Sequence, residues 1–238
     1  MNSTIAMITF RAMLGRRRAV LLFLLPGALL VLALLLRVTG TADLDISANV
    51  LQALGVATLL PLLALIAGTG VIGPEIDDGQ IMYVLTTPVP RRTVIITKFV
   101  VALVLVVGFA VVPVTLAGLI LTGTTAGVVP AYAVAMLAGA VAYTAVFTAL
   151  AVASRNAVAI GLIYALVWEA LLASFAPAAG TVSVQQWSLS IADALTGASQ
   201  IDSSVSLPLS LTLLATVTVA GVLLAITRLR SLTVASAD

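Results

Sequence analysis

The chain has 238 residues, of which 62% are hydrophobic and 8% charged, with a formal net charge of +2. Soluble domains carry roughly a quarter charged residues, so a water-soluble globule is excluded. The apolar residues fall in runs of about 18 or more, enough to cross a hydrocarbon core as helices, whereas a transmembrane β-barrel would alternate in segments of about ten.

The expected fold class is therefore all-α: a polytopic membrane protein with six transmembrane helices, in a single transmembrane domain over residues 1–238. In chain order, the first fifteen residues set Ile5, Ile8, Phe10, Met13 and Leu14 beside Arg11. That pattern suits either a short helix lying in the membrane interface or a plain extension of the first span. The bases Arg16, Arg17 and Arg18 lead into the first apolar run, 19–36. It is longer than the roughly 7–15 residues of a signal-peptide core and is not followed by a small-residue cleavage site, so it is read as a span. Arg37 closes it and is expected to snorkel to headgroups or to pair with Asp43 or Asp45, a cargo contact being the weaker alternative.

The second and third runs, 50–72 and 99–121, contain Pro61 and Pro113, where a kink is expected. The fourth and fifth, 131–153 and 157–176, precede an outer connection over 177–206. There Trp187, Ile191 and Leu195 recur at four-residue spacing, which fits a short helix dipping into the outer leaflet, or an exposed loop of partial helicity. The sixth run is 207–227. Gly108, Gly118, Gly139 and Gly161 suit close helix approach.

Arginine and lysine placement sets the orientation. Arg11 and the Arg16 to Arg18 triplet precede span one; Arg91, Arg92 and Lys98 lie between spans two and three; Arg155 lies between four and five; Arg228 and Arg230 follow six. All fall on one side if six spans form. The opposite side carries Asp43, Asp45, Asp193 and Asp202, with Arg37 its one base. Both termini are accordingly expected in the cytoplasm.

The connection 73–98 is the charged exception in this apolar chain. Gly73 and Pro74 interrupt the second run, and proline is tolerated in the first turn of a new helix. Glu75, Asp77 and Asp78 would occupy that turn, where the helix dipole favours acids. Ile81, Met82 and Leu85 form an apolar stripe, and Pro88 stops the helix at Thr87. Arg91, Arg92 and Lys98 read as topology signals. The acids fit poorly against a negative inner leaflet, so the helix is expected to meet a protein partner.

The succession of Glu75, Asp78 with Gly79, Val84 with Leu85, Thr87 with Pro88, Arg91 with Arg92, and Lys98 resembles the first cytoplasmic loop of ABC-2-type transporter permeases. Thr97 stands where that family often has a glycine before the lysine. The six spans, internal termini and long fifth connection are similar as well. The resemblance implies a membrane subunit of an ABC exporter, paired with a second permease (itself or a related chain) and with two copies of a cytoplasmic ATP-binding subunit. It also implies a coupling helix after span two, with Glu75, Asp77 and Asp78 facing basic groups of the ATPase and Ile81, Met82 and Leu85 filling its groove, beside Arg91 and Arg92. The setting implied is a bacterial plasma membrane, with membrane lipid and no nucleic acid as surroundings.

No cofactor is expected in this chain. It lacks a phosphate-binding G-x-x-x-x-G-K-[ST] loop, and the Gly68 to Gly73 region has no lysine to complete one. The chain contains no cysteine and no histidine, which removes thiolate nucleophiles, the commonest metal ligand and the usual acid–base catalyst. Catalytic, cofactor and metal residues are thus none, and ATP hydrolysis is assigned to a partner. Glu169 lies deep within span five, about 18 Å from its start. An intramembrane acid is a functional candidate by default; it reads as a contact on the substrate pathway or as a protonated, hydrogen-bonded link between helices. A secondary transporter would need such groups repeated in both halves, which makes it the alternative to an exporter of hydrophobic or amphipathic cargo.

Overall fold

The computed structural model describes residues 2–77, 90–123, 127–172, 181–196, 203 and 205–231, and the regular structure among them is helical. Helix α1 is Ser3–Met13 and α2 is Arg16–Val38. α3 covers residues 44–70, and the short α4, Gly73–Asp77, follows across a turn at Val71 and Ile72. α5 is Arg91–Thr122, α6 Val128–Ala153, and α7 residues 157–172. α8 is Val184–Thr196 and α9 Leu207–Ser231.

Among the described residues, five helical segments are long and apolar enough to cross a membrane: Val20–Val38, Leu44–Ile76, Arg91–Thr122, Val128–Ala153 and Leu207–Leu229. The apolar segment Ala157–Glu169 is shorter. The chain is thus an all-helical, multi-pass membrane protein.

α1 is a helix in its own right and not an extension of the first span. The Asn2 side chain accepts from the N–H groups of Thr4 and Ile5, at 3.0 and 3.4 Å, satisfying two of the free donors at a helix start. Leu14 and Gly15 end it. The helix packs on α5, where the Asn2 N–H donates to Thr97 Oγ1 at 3.2 Å. Its opposite face leaves Met7, Ile8 and Phe10 exposed.

The two expected kinks take a definite form. A proline lacks an N–H and its ring collides with the carbonyl four residues back. Ahead of Pro61 the helix widens to π-type turns over Leu51–Leu59, with the Leu60 N–H reaching back to the Gly55 carbonyl. Ahead of Pro113 it widens over Val107–Val111, with the Val112 N–H reaching Val107. In both cases the wider turn moves the obstructed carbonyl aside without breaking the helix. A third π-type stretch, Tyr164–Leu172 in α7, contains no proline.

α6 is the centre of the bundle and packs against α3, α5, α7, α8 and α9. Its Tyr132, Met136, Tyr143 and Phe147 are fully enclosed, and Ala135, Gly139 and Ala140 between them keep the helix narrow. Lipid gives little hydrophobic incentive for helices to associate, so packing relies on small residues that let backbones approach. A Cβ at Gly221 would lie 2.9 Å from the Ala145 carbonyl oxygen, and one at Gly68 would lie 2.8 Å from Phe147 Cβ. Gly118 and Gly139 likewise face close neighbours, as does Gly161, but Gly108 has nothing within 4 Å among the described residues.

The bundle has two distinct ends. At one, Ile72, Ile95, Ala151, Val152, Ala157, Ile226 and Leu229 form a separate apolar cluster. It joins the ends of α3, α6 and α9 to the starts of α5 and α7. At the other end, Arg37 Nη1 donates to the Leu121 carbonyl at 3.3 Å, and Tyr132 donates to the Ala48 carbonyl at 3.4 Å.

Candidate functional site

The segment around α4 begins with the end of α3. Helix C-termini leave carbonyls without internal partners. Here the Val71 carbonyl accepts from Lys98 Nζ at 2.6 Å, and the same ammonium donates to Glu75 Oε1 at 2.5 Å. Lys98 is 1% exposed and Glu75 27%. One buried cation from α5 therefore ties off α3 and grips the first turn of α4. Glu75 Oε2 is buried and accepts no hydrogen bond among the described residues.

Lys98, read from sequence as a topology signal, is buried and makes specific contacts within the bundle. It sits inside the apolar start of α5, between Thr97 and Phe99, and burial of an ammonium there requires a carboxylate. The expectation that Glu75 faces a partner's basic groups is narrowed accordingly, because one of its oxygens is held by Lys98. Arg91 and Arg92 begin α5, with Pro90 before them, and Arg92 is exposed. Bases at a helix N-terminus oppose the dipole. Asp77 closes α4. Asp78, Ile81, Met82 and Leu85 lie outside the described residues.

α4 is backed by the turn between α6 and α7. A crevice of about 70 Å³ there is lined by Thr69, Gly73 and Pro74 on one side and by Ser154, Arg155 and Val158 on the other. The sequence separates these groups by some eighty positions, and the fold brings them to one end of the bundle, beside Asn2 and Thr97.

Glu169 forms a second buried polar site. It is 0% exposed and accepts four hydrogen bonds. Tyr164 donates to Oε1 at 2.7 Å and Ser183 Oγ to Oε2 at 2.5 Å, while the backbone N–H groups of Val184 and Gln185 reach Oε1 at 3.0 Å and Oε2 at 3.3 Å. Those two N–H groups are the first of α8. Ser183 Oγ also accepts from the Gln186 N–H at 3.3 Å, so the carboxylate and the serine together complete the helix start. The π-type winding of α7 allows Tyr164 and Glu169, five apart, to share a face. The indole N–H groups of Trp168 and Trp187 donate to the carbonyls of Val182 and Thr181, at 3.2 and 3.0 Å, and hold the same short connection.

The helix expected around Trp187, Ile191 and Leu195 is present as α8. Trp187 and Ile191 are 4% and 8% exposed, packed against α6 and α9, while Leu195 is 58% exposed. It is therefore part of the bundle and not a surface loop. Reasoning from sequence missed the partners Ser183 and Tyr164. The one available signal for them was the cost of burying Glu169, which demands donors without saying where in the chain they lie.

Comparison with known families matches residues 14–169 to the family model described as ABC-2 family transporter protein. The match takes in the α4 segment with Lys98 and ends at Glu169. A comparison with curated proteins returns no match.

Proposed function

Because the chain belongs to the ABC-2 family of transporter proteins, we propose that it is the permease subunit of an ATP-driven exporter, energised by a separate ATP-binding subunit that docks on residues 73–98. The observation that carries this is the fixed root of α4. Lys98 binds the Val71 carbonyl and Glu75 together, so force applied to α4 passes directly into the end of α3 and the start of α5. A loop serving only as a topology signal needs no such joint.

On this reading residues 1–238 form a single transmembrane domain with six spans, α7 supplying the fifth, and with both termini in the cytoplasm of a bacterial cell. Support comes from the crowding of Lys98, Arg155 and the α1 start at one end of the bundle. Asp77, Asp78, Ile81, Met82 and Leu85 meet the ATPase, with Arg91 and Arg92 at the edge of the contact. Glu75 acts as a positioning residue. The working unit is two permease chains, identical or related, with two ATPase subunits. The cargo is hydrophobic or amphipathic, since the lining available is apolar.

Glu169 belongs to the joint between α7 and α8 on this reading and not to the path. It is enclosed within one chain, so it does not line a passage between two, and its four hydrogen bonds leave little capacity for an ion-coupled role. The deciding experiment is purification of the full chain in mild detergent after co-expression with a candidate ATP-binding subunit. Co-elution, with ATP turnover that depends on residues 73–98, is expected. Transport driven by an ion gradient without ATP would overturn the reading.

A further inference from the structure

We propose that the groove between α2 and α5 is a binding site for a membrane phospholipid, with one acyl chain in the groove and the phosphate on Arg37. The groove has a volume of about 500 Å³ and is lined by Leu30, Val31 and Leu34 of α2 and by Leu116, Leu119 and Ile120 of α5. Leu34 and Leu30 precede Arg37 by one and two helical turns, so all three lie on one stripe of α2. Arg37 is fastened at the head of that stripe, because its Nη1 donates to the carbonyl of Leu121, the residue after Ile120.

A guanidinium offers five N–H donors in a planar fork, and this contact uses one of them. The pairing with Asp43 or Asp45 expected from sequence does not form; among the described residues the ion pair is that of Lys98 with Glu75. Arg37 is exposed. An unpaired guanidinium beside an apolar groove matches a phosphate joined to a hydrocarbon chain, since arginine recognises phosphate oxygens in a forked geometry. Val31, Leu34, Leu116 and Leu119 are 41–59% exposed, so the groove opens sideways, toward the bilayer. Among the described residues no charged side chain lines it, and Arg37 stands one helical turn beyond Leu34. A lipid seated there bridges α2 and α5 and links the leaflet at Arg37 to the helix that carries Lys98.

The test is native mass spectrometry of the delipidated full chain in detergent, titrated with phosphatidylglycerol, diacylglycerol or inorganic phosphate. One phosphatidylglycerol per chain is expected, with diacylglycerol and phosphate each binding far more weakly. Arg37→Gln removes a charged hydrogen-bond set and is expected to lower phosphatidylglycerol affinity about tenfold, and Arg37→Lys to restore part of it. Leu119→Trp, which fills the groove and keeps the guanidinium, must also weaken binding and tests the site should Arg37→Gln fail to fold. Equal binding of diacylglycerol, or unchanged affinity in Arg37→Gln or Leu119→Trp, overturns the proposal. So does a dimer that appears on delipidation and is abolished by Leu119→Trp, since the groove would then be an interface between copies.

Discussion

Lys98 and Glu75 meet at 2.5 Å across the joint between α4 and α5, and the same Lys98 ammonium holds the carbonyl of Val71, which follows α3 directly. Removing one member of a buried pair leaves an uncompensated charge, at a cost of roughly 3–5 kcal/mol, while exchanging both for apolar or neutral groups is close to neutral. Glu75 is partly exposed, so Glu75→Ala is expected toward the lower end of that range. Lys98→Met combined with Glu75→Gln is expected to recover most of the loss. Thermal unfolding in detergent, read for both singles and the double, checks this. A double variant as unstable as the worse single would show that the pair is not the joint.

Glu169 serves three donors at the start of α8 and one on its own helix. Glu169→Gln keeps one acceptor oxygen but turns an amide NH₂ toward the Gln185 N–H, which cannot accept. Glu169→Ala leaves the Val184 and Gln185 N–H groups buried and unsatisfied, at about 1–3 kcal/mol each. Faster amide exchange over 184–196 is therefore expected in the order Ala, Gln, wild type. If Glu169→Gln transports cationic and neutral cargo as the wild type does, the role is structural. Selective loss of cationic transport with unchanged amide exchange would return Glu169 to the pathway.

Five of the six expected spans were legible because they depend only on run length and apolarity, which the chain states plainly; the fifth apolar run, expected over 157–176, is a shorter apolar helix, Ala157–Glu169, among the described residues. Pro61 and Pro113 marked where two helices deviate, though the widened π-type turns ahead of them follow from relieving a ring–carbonyl clash that sequence spacing does not display. The α8 helix was legible in the spacing of Trp187 and Ile191, yet its burial against α6 depends on partners remote in the chain. The inward contacts of Lys98 were not legible for a physical reason. In a single sequence, a base near a span end looks the same whether it faces headgroups or turns inward to a carboxylate 23 positions earlier. The Ser183 contact to Glu169 was hidden similarly, since polar groups are matched by tertiary placement and not by local pattern.

Glycine substitutions separate close approach from mere permissiveness. At Gly68 an added Cβ meets Phe147 Cβ at 2.8 Å and the Thr148 backbone nitrogen at 3.1 Å. Those atoms are backbone and Cβ atoms of α6 and cannot swing away. Gly68→Ala is expected to cost about 1–3 kcal/mol as an overpacked site. Gly108 faces open space, so Gly108→Ala should be neutral, or stabilising by up to about 1 kcal/mol through helix propensity. Unfolding of the two variants side by side decides it; equal losses would mean that Gly108 packs against a second chain.

Contact with the ATPase and positioning of α4 should come apart experimentally. Leu85 is proposed to enter a groove of the partner, so Leu85→Asp places a charge in that contact while the Lys98–Glu75 pair keeps both its members. Burying an unpaired charge costs several kcal/mol, which corresponds to assembly weakened at least about tenfold. The unfolding temperature of the isolated permease should be unchanged. Glu75→Gln acts differently: it loosens the root of α4, lowers the unfolding temperature, and reduces transport per ATP hydrolysed while the ATPase still binds. Co-elution, thermal unfolding and the ratio of transport to ATP turnover, measured on both variants, give two distinct patterns. If Leu85→Asp assembles normally, the partner grips some other part of residues 73–98. If Glu75→Gln unfolds like the wild type and stays fully coupled, the ion pair does not transmit the stroke.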